Sequence, residues 1–132
     1  MNMINESACV ALRKLLEDGN RDLEVSILGR RWMDTYGNTY HTVYVDVLFP
    51  EMSSYTSLIA TGAPNYGYGD MWEQTAFNMW FEATAYGTDV DHELSAKLAQ
   101  SNFNTCYLSR LLKALNIKVD YIVVDVKRKK DL

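Results

Sequence analysis

The sequence predicts an α+β fold, a mostly antiparallel sheet with packed helices in one compact domain spanning residues 1–132. Strict alternation at Val43, Val45, Val47 and Phe49 marks a strand with one buried face. Leu23, Val25 and Ile27 alternate in the same way just upstream, at hairpin distance. Apolar residues at helical spacing fill the segments on either side of these strands.

Taken in order, Asn5 caps a helix running to Asp18, with Ala8, Ala11, Leu12, Leu15 and Leu16 on one stripe and Gly19-Asn20 as the stop. In the strand that follows, Gly29 interrupts the alternation and predicts a bulge. Continued alternation sets Trp32 on the face opposite Val25. Tyr36-Gly37-Asn38 turns the chain. The next strand places Tyr40, Thr42, Tyr44 and Asp46 opposite its valines, and Pro50 ends it. A weaker strand covers Tyr55 to Ala60, and the segment from Thr61 to Gly69 is a loop rich in chain breakers.

Asp70 and Glu73 have capping-box spacing before a helix that reaches Tyr86, with Gly87 as its stop. Trp72, Ala76, Met79, Trp80 and Ala83 form its stripe, and Phe77 and Phe81 widen it. A helix apolar over most of its circumference is buried on two sides, and the expected second cover is another subunit. A short amphipathic helix, Asp89 to Gln100, is anchored by Leu94 and Leu98. Another runs from Asn104 to Leu115, closed by Asn116. The last strand is apolar on both faces (Val119, Tyr121, Val123; Ile122, Val124), which predicts a central position. A basic tail, Lys127 to Lys130, follows.

At 132 residues the chain is long enough to bury a core without staples. A net charge of −4 argues against general binding to a nucleic-acid backbone, which needs a basic face to displace counterions; no sequence-specific nucleic-acid partner is expected. Cys9 and Cys106 lack metal or disulfide spacing and read as free thiols. No stretch has the length and apolarity of a membrane span or leader, so the expectation is a soluble, intracellular protein without a membrane partner.

Chemistry for catalysis is missing. His41 and His92 lack partners at ligand spacing, and Asp89, Asp91, His92 and Glu93 sit where a helix start favours carboxylates. No nucleophile elbow, paired-cysteine metal motif or phosphate loop occurs. The expectation is no enzyme activity, no catalytic residue, no metal and no cofactor. Binding chemistry is abundant, with nine tyrosines and three tryptophans. Such rings carry an apolar body and a polar edge, which suits ligand pockets and interfaces as well as cores. Arg30, Arg31 and Trp32 offer forked donors and a stacking face, with Tyr40 and Tyr44 across the hairpin. In the glycine loop, Asp70 would repel a phosphate, so Tyr66-Gly67-Tyr68-Gly69 better suits presentation of Tyr66 and Tyr68 as stacking surfaces. The candidate ligand-binding residues are Arg30, Arg31, Trp32, Tyr40, Tyr44, Tyr66, Tyr68 and Arg128.

Arg31-Trp32, the run Tyr36-Gly37-Asn38-Thr39-Tyr40-His41, Tyr66-Gly67-Tyr68-Gly69-Asp70 and the closing Arg128-Lys129-Lys130-Asp131-Leu132 resemble a family of small phage-borne accessory proteins. Met33 stands where that family carries an aromatic, and the segment before Leu23 is often shorter in it. The chain is also similar to the phage proteins that counter the Thoeris defence system. Those are oligomeric sponges for a cyclic ADP-ribose signal, and some also hold cyclic oligonucleotides. The resemblance implies a cyclic nucleotide signal molecule bound without turnover, a homo-oligomer with pockets shared between subunits, and location in the host cytoplasm. The alternative expectation is a protein-directed inhibitor of a host defence or restriction enzyme, with exposed rings as its hot spot.

Overall fold

The computed structural model describes all 132 residues. In chain order the elements are β1 (Met3–Ile4), α1 (Glu6–Glu17), β2 (Glu24–Met33), β3 (Thr39–Leu48), β4 (Thr56–Ala60), β5 (Asn65–Tyr66), α2 (Met71–Ala85), α3 (His92–Phe103), α4 (Leu108–Ala114) and β6 (Lys118–Val126). The strands form one sheet in the order β1-β4-β3-β2-β6, with β5 also paired to β3. All pairings are antiparallel except β2 with β6. The class is α+β.

Alternation decides which face of the sheet is dry. Val25 and Ile27 of β2 and Val43, Val45 and Val47 of β3 are fully buried. They join Leu12, Phe77, Met79, Leu108, Leu111 and Leu112 from the helices in one continuous core. All four helices contribute to that core, so the helical layer covers this face and leaves the other to solvent and the chain's tail.

Local chemistry explains the element ends. The Asn5 side chain accepts from the Ala8 N–H and caps α1. Asp34 Oδ1 accepts from the N–H groups of Tyr36 and Asn38, each at 2.9 Å, and Gly37 takes φ +85°, so the hairpin turn is an Asp34-anchored loop. Asn104 and Asn116 follow their helices in the left-handed region, at φ 52° and 60°.

Several expectations are corrected. Gly29 is not a bulge, for β2 keeps unbroken register with both β3 and β6. Gly29 is needed because the Trp72 ring lies on it: a Cβ there would sit 2.7 Å from the ring. The register shift falls instead between β3 and β4, beside Val45 and Asp46, and leaves Leu58 as the extra residue on β4. Both Leu58 and Ile59 are consequently buried.

The capping box does not form, because Asp70 makes no side-chain cap. Glu73 turns inward instead; its carboxylate accepts from the Ser109 hydroxyl at 2.6 Å and from the Ser109 N–H at 3.3 Å. It thereby satisfies one free N–H in the first turn of α4, whose N-cap residue makes no side-chain bond. Helix α2 is indeed covered on two sides, but both covers are intramolecular: the sheet on one, and α1, α3 and α4 on the other. Its apolar circumference therefore does not call for a second subunit.

Helix α3 is anchored by Ala96 and Ala99, while Leu94 and Leu98 point outward. It runs through Phe103 and ends at Asn104, so the following helix starts four residues later than expected, at Leu108. Strand β6 lies at the sheet's edge, not at its centre. Only Val119 and Val123 pack against the core, and Ile122 and Val124 are exposed. No helix is long and apolar enough to cross a membrane.

Candidate functional site

The strongest site lies on the open face of the sheet. Trp32 and Tyr40 are direct partners across the β2–β3 ladder. Their rings stack, with centroids 6.0 Å apart and planes 28° from parallel. Tyr66 in β5 pairs with Tyr40 and meets it edge-on at 5.6 Å. The guanidinium of Arg30 lies 5.1 Å from the centroid of the Tyr44 ring. Five of the eight candidate residues thus share one face because they share strand parity: Arg30, Trp32, Tyr40, Tyr44 and Tyr66.

The chain's tail completes this face. After β6 it crosses the open side, where Lys129–Asp131 makes a short 3-10 turn. Trp32, Asp34, Tyr40, Pro64 and Lys129 line a recess of about 290 Å³. A second hollow of about 600 Å³ adjoins it through Pro64 and Lys129 and extends over Thr42, Tyr44 and Lys130. Thr42 is 5 % exposed, and its hydroxyl has no hydrogen-bond partner. An unpaired buried hydroxyl carries a desolvation cost that a ligand acceptor can offset. Asp46, on the same face, has its carboxyl pushed above the ordinary range by burial.

Three candidates are not brought to this face. Arg31 points to the helix side, where its guanidinium donates to both Asp125 oxygens, at 2.7 and 3.2 Å, and to the Gly69 carbonyl at 2.9 Å. Its fork is spent tying β6 to the loop before α2. Tyr68 is exposed on that loop and stacks on none of the open-face rings. Arg128 donates to Asp131 at 3.1 Å and lines neither recess. The tail's contribution comes from Lys129 and Lys130. The basic run signalled their charge, but nothing local in the sequence signalled that the tail folds back over β3.

On the other face, His41 is 1 % exposed. Its Nδ1 lies 3.1 Å from the Gly67 carbonyl, which can only accept, and its Nε2 lies 2.7 Å from the Thr75 hydroxyl. The ring therefore donates from Nδ1 and accepts at Nε2. Burial lowers its pKa, against a smaller opposing effect of the Gly67 bond, so it is held neutral. It joins β3, the glycine loop and α2.

Beyond Thr75 opens a polar cleft of about 610 Å³ between α2 and α3, bordered by Asn78, Glu82, His92, Lys97 and Gln100. Sequence reasoning missed it. Its signal is the spacing of Thr75, Asn78 and Glu82 on one side of α2, hidden by the helix's apolar bulk. Asp91 accepts from the N–H groups of Glu93 and Leu94 and so caps α3. The acidic cluster there has no geometry for a metal.

Comparison with protein-family models, curated proteins and solved structures finds no match to this chain.

Proposed function

We propose that the chain is a binding protein that sequesters a cyclic nucleotide signal, of the cyclic ADP-ribose type, on the open face of its sheet, without turning it over. The observation that carries this reading is the Trp32–Tyr40 stack at the mouth of a recess closed by Lys129. A base lies against the rings, at roughly 1–3 kcal/mol per stacked base. Phosphates lie toward Lys129, Lys130 and Arg30, where charge-assisted bonds supply the rest of the affinity. The cyclic oligonucleotides held by some of the resembled sponges offer the same combination of flat bases and phosphates.

A melting-temperature screen against cyclic ADP-ribose isomers and cyclic di- and trinucleotides tests it. A ligand selective for the folded state must raise the midpoint. Trp32→Ala should weaken binding by roughly 1–3 kcal/mol and shrink the rise accordingly. Absence of any shift at saturating ligand overturns the proposal.

A second reading, inhibition of a host defence or restriction enzyme by direct contact, is favoured by one observation. Val90, just before α3, and Leu94 and Leu98, one turn apart on it, are each more than half exposed. Capture of one stoichiometric host enzyme that is lost with Leu94→Lys, with no nucleotide retained, would favour this reading over the first.

A further inference from the structure

The sheet has unequal edges. One outer strand is β1, only two residues long; the other is β6, nine residues long and paired on its inner side alone. Soluble proteins blunt long edges with proline, a bulge, charged side chains or a covering element, and the charges of β6 (Lys118, Asp120 and Asp125) flank the run from Tyr121 to Val124. Strand β6 contains no proline, and its ladder with β2 is unbroken from Lys118 to Val126. Its middle is apolar and partly open to solvent: Ile122 and Val124 are 60 % and 41 % exposed, and Tyr121, with Lys113 of α4 over its ring, is 46 % exposed.

We propose that β6 pairs antiparallel with β6 of a second copy of this chain, about a two-fold axis through Ile122, so that one sheet runs through both copies. The strand's own pattern fits this occupant, because its apolar centre meets itself and no like charges are opposed. A two-fold axis normal to the sheet keeps its faces, so opposed residues must have the same parity. The register that overlaps all of 118–126 centres on Ile122. It opposes Ile122 to itself, Tyr121 to Val123, Asp120 to Val124, Val119 to Asp125 and Lys118 to Val126, and no like charges meet. Moving the centre to Tyr121 shortens the overlap. Moving it to Val123 sets Lys118 against Arg128, and moving it to Asp120 sets that carboxylate against itself. The strand therefore accepts its own copy best at full length.

Pairing has a consequence for the open face. Tyr40, Trp32 and Val126 form one cross-strand row, which the partner subunit's Lys118 extends, two strands and roughly 10 Å from Trp32. Both copies then present their ring sets on the same side. The edge pairing does not depend on what the rings bind.

Sedimentation of the full chain over a wide dilution series tests the proposal, with hydrogen exchange of the β6 amides as a second readout. The expected species has twice the 15.1 kDa chain mass, with the outward amides of β6 protected. Ile122→Lys, at a position exposed enough to accept it, should raise the dimer dissociation constant roughly tenfold or more and deprotect those amides. Val124→Arg is the independent check should the first variant fold poorly. A chain that sediments as a monomer throughout overturns the proposal, as does a dimer whose mass and β6 exchange ignore both folded variants. Edge protection that appears only with an added foreign protein also overturns it.

Discussion

The two faces of the β2–β3 hairpin are built from alternate residues of the same strands, yet they obey different rules. On the helix side, Val25, Ile27, Val43, Val45 and Val47 leave no surface to water, and the one imidazole there, His41, has both nitrogens bonded. On the open side, Trp32, Tyr40, Tyr44 and Arg30 touch mainly one another and the tail. A side chain in the first set is held by neighbours from several elements. One in the second is held by cross-strand contacts worth a fraction of that. The helix side accordingly stabilises the fold, and the open side is free to carry recognition.

The sharpest test of this division compares truncations in β2. Ile27→Ala should cost about 2–5 kcal/mol of unfolding free energy, since it opens a cavity in the core. Trp32→Ala, a larger truncation, should cost nearer 1 kcal/mol of stability while weakening the proposed ligand binding. Urea denaturation of both variants reads the contrast, and equal losses would break it. Gly29→Ala adds a single methyl on the helix side, against the Trp72 ring, and should cost about 1–3 kcal/mol through overpacking. The same denaturation series checks it; a neutral result would mean that the ring can move aside.

Titration of one buried group on each face gives opposite signs, because an imidazole is charged when protonated and a carboxyl when ionised. Burial lowers the pKa of His41 below 6.5, so the unfolded chain takes up that proton first. The stability it supports is present above about 6.5 and lost as pH falls toward the folded value, by at most about 1.4 kcal/mol per pH unit. Asp46 is the reverse. Its folded pKa is raised above 3.8, so acidification through that folded value toward 3.8 relieves a cost carried at neutral pH. His41→Gln should flatten the loss of melting temperature on mild acidification, and Asp46→Asn should raise the neutral-pH midpoint slightly. Parallel melts across the acid range decide both: a His41→Gln profile as steep as the parent's, or a neutral-pH midpoint not raised by Asp46→Asn, would contradict the burial of that group.

Much of this division was legible in the sequence because strand parity is local. Val43, Val45 and Val47 named the dry face, and that alone released Trp32, Tyr40 and Tyr44 to the other. Long-range features were not legible. The last strand looked central because both of its sides are apolar, yet Ile122 and Val124 face outward at an edge. The all-round apolarity of α2 implied two covers without naming them, and the second is the chain's own helices. Glu73 had the spacing of a capping residue, but its partner, Ser109, lies 36 residues away. Strands β1 and β5 are too short to show any period. Of the site, the rings and Arg30 follow from parity, whereas Arg31's commitment to Asp125 and the return of Lys129 over β3 depend on where β6 docks.

That docking also sets a schedule for folding. Arg31 and Asp125 meet across 94 residues of chain, and the whole β2–β6 ladder spans the same interval. At about 5–20 residues per second of synthesis, each residue of β2 exists for roughly 5–20 s before its β6 partner is made. For that time the ten-residue flank of β2 lacks its partner strand, and the Trp32–Tyr40 recess lacks its Lys129 wall. The proposed recognition surface is therefore completed only after β6 has been made. A chain stopped before β6 would carry the ring residues of the hairpin but neither the strand that flanks β2 nor the lysine that borders the recess.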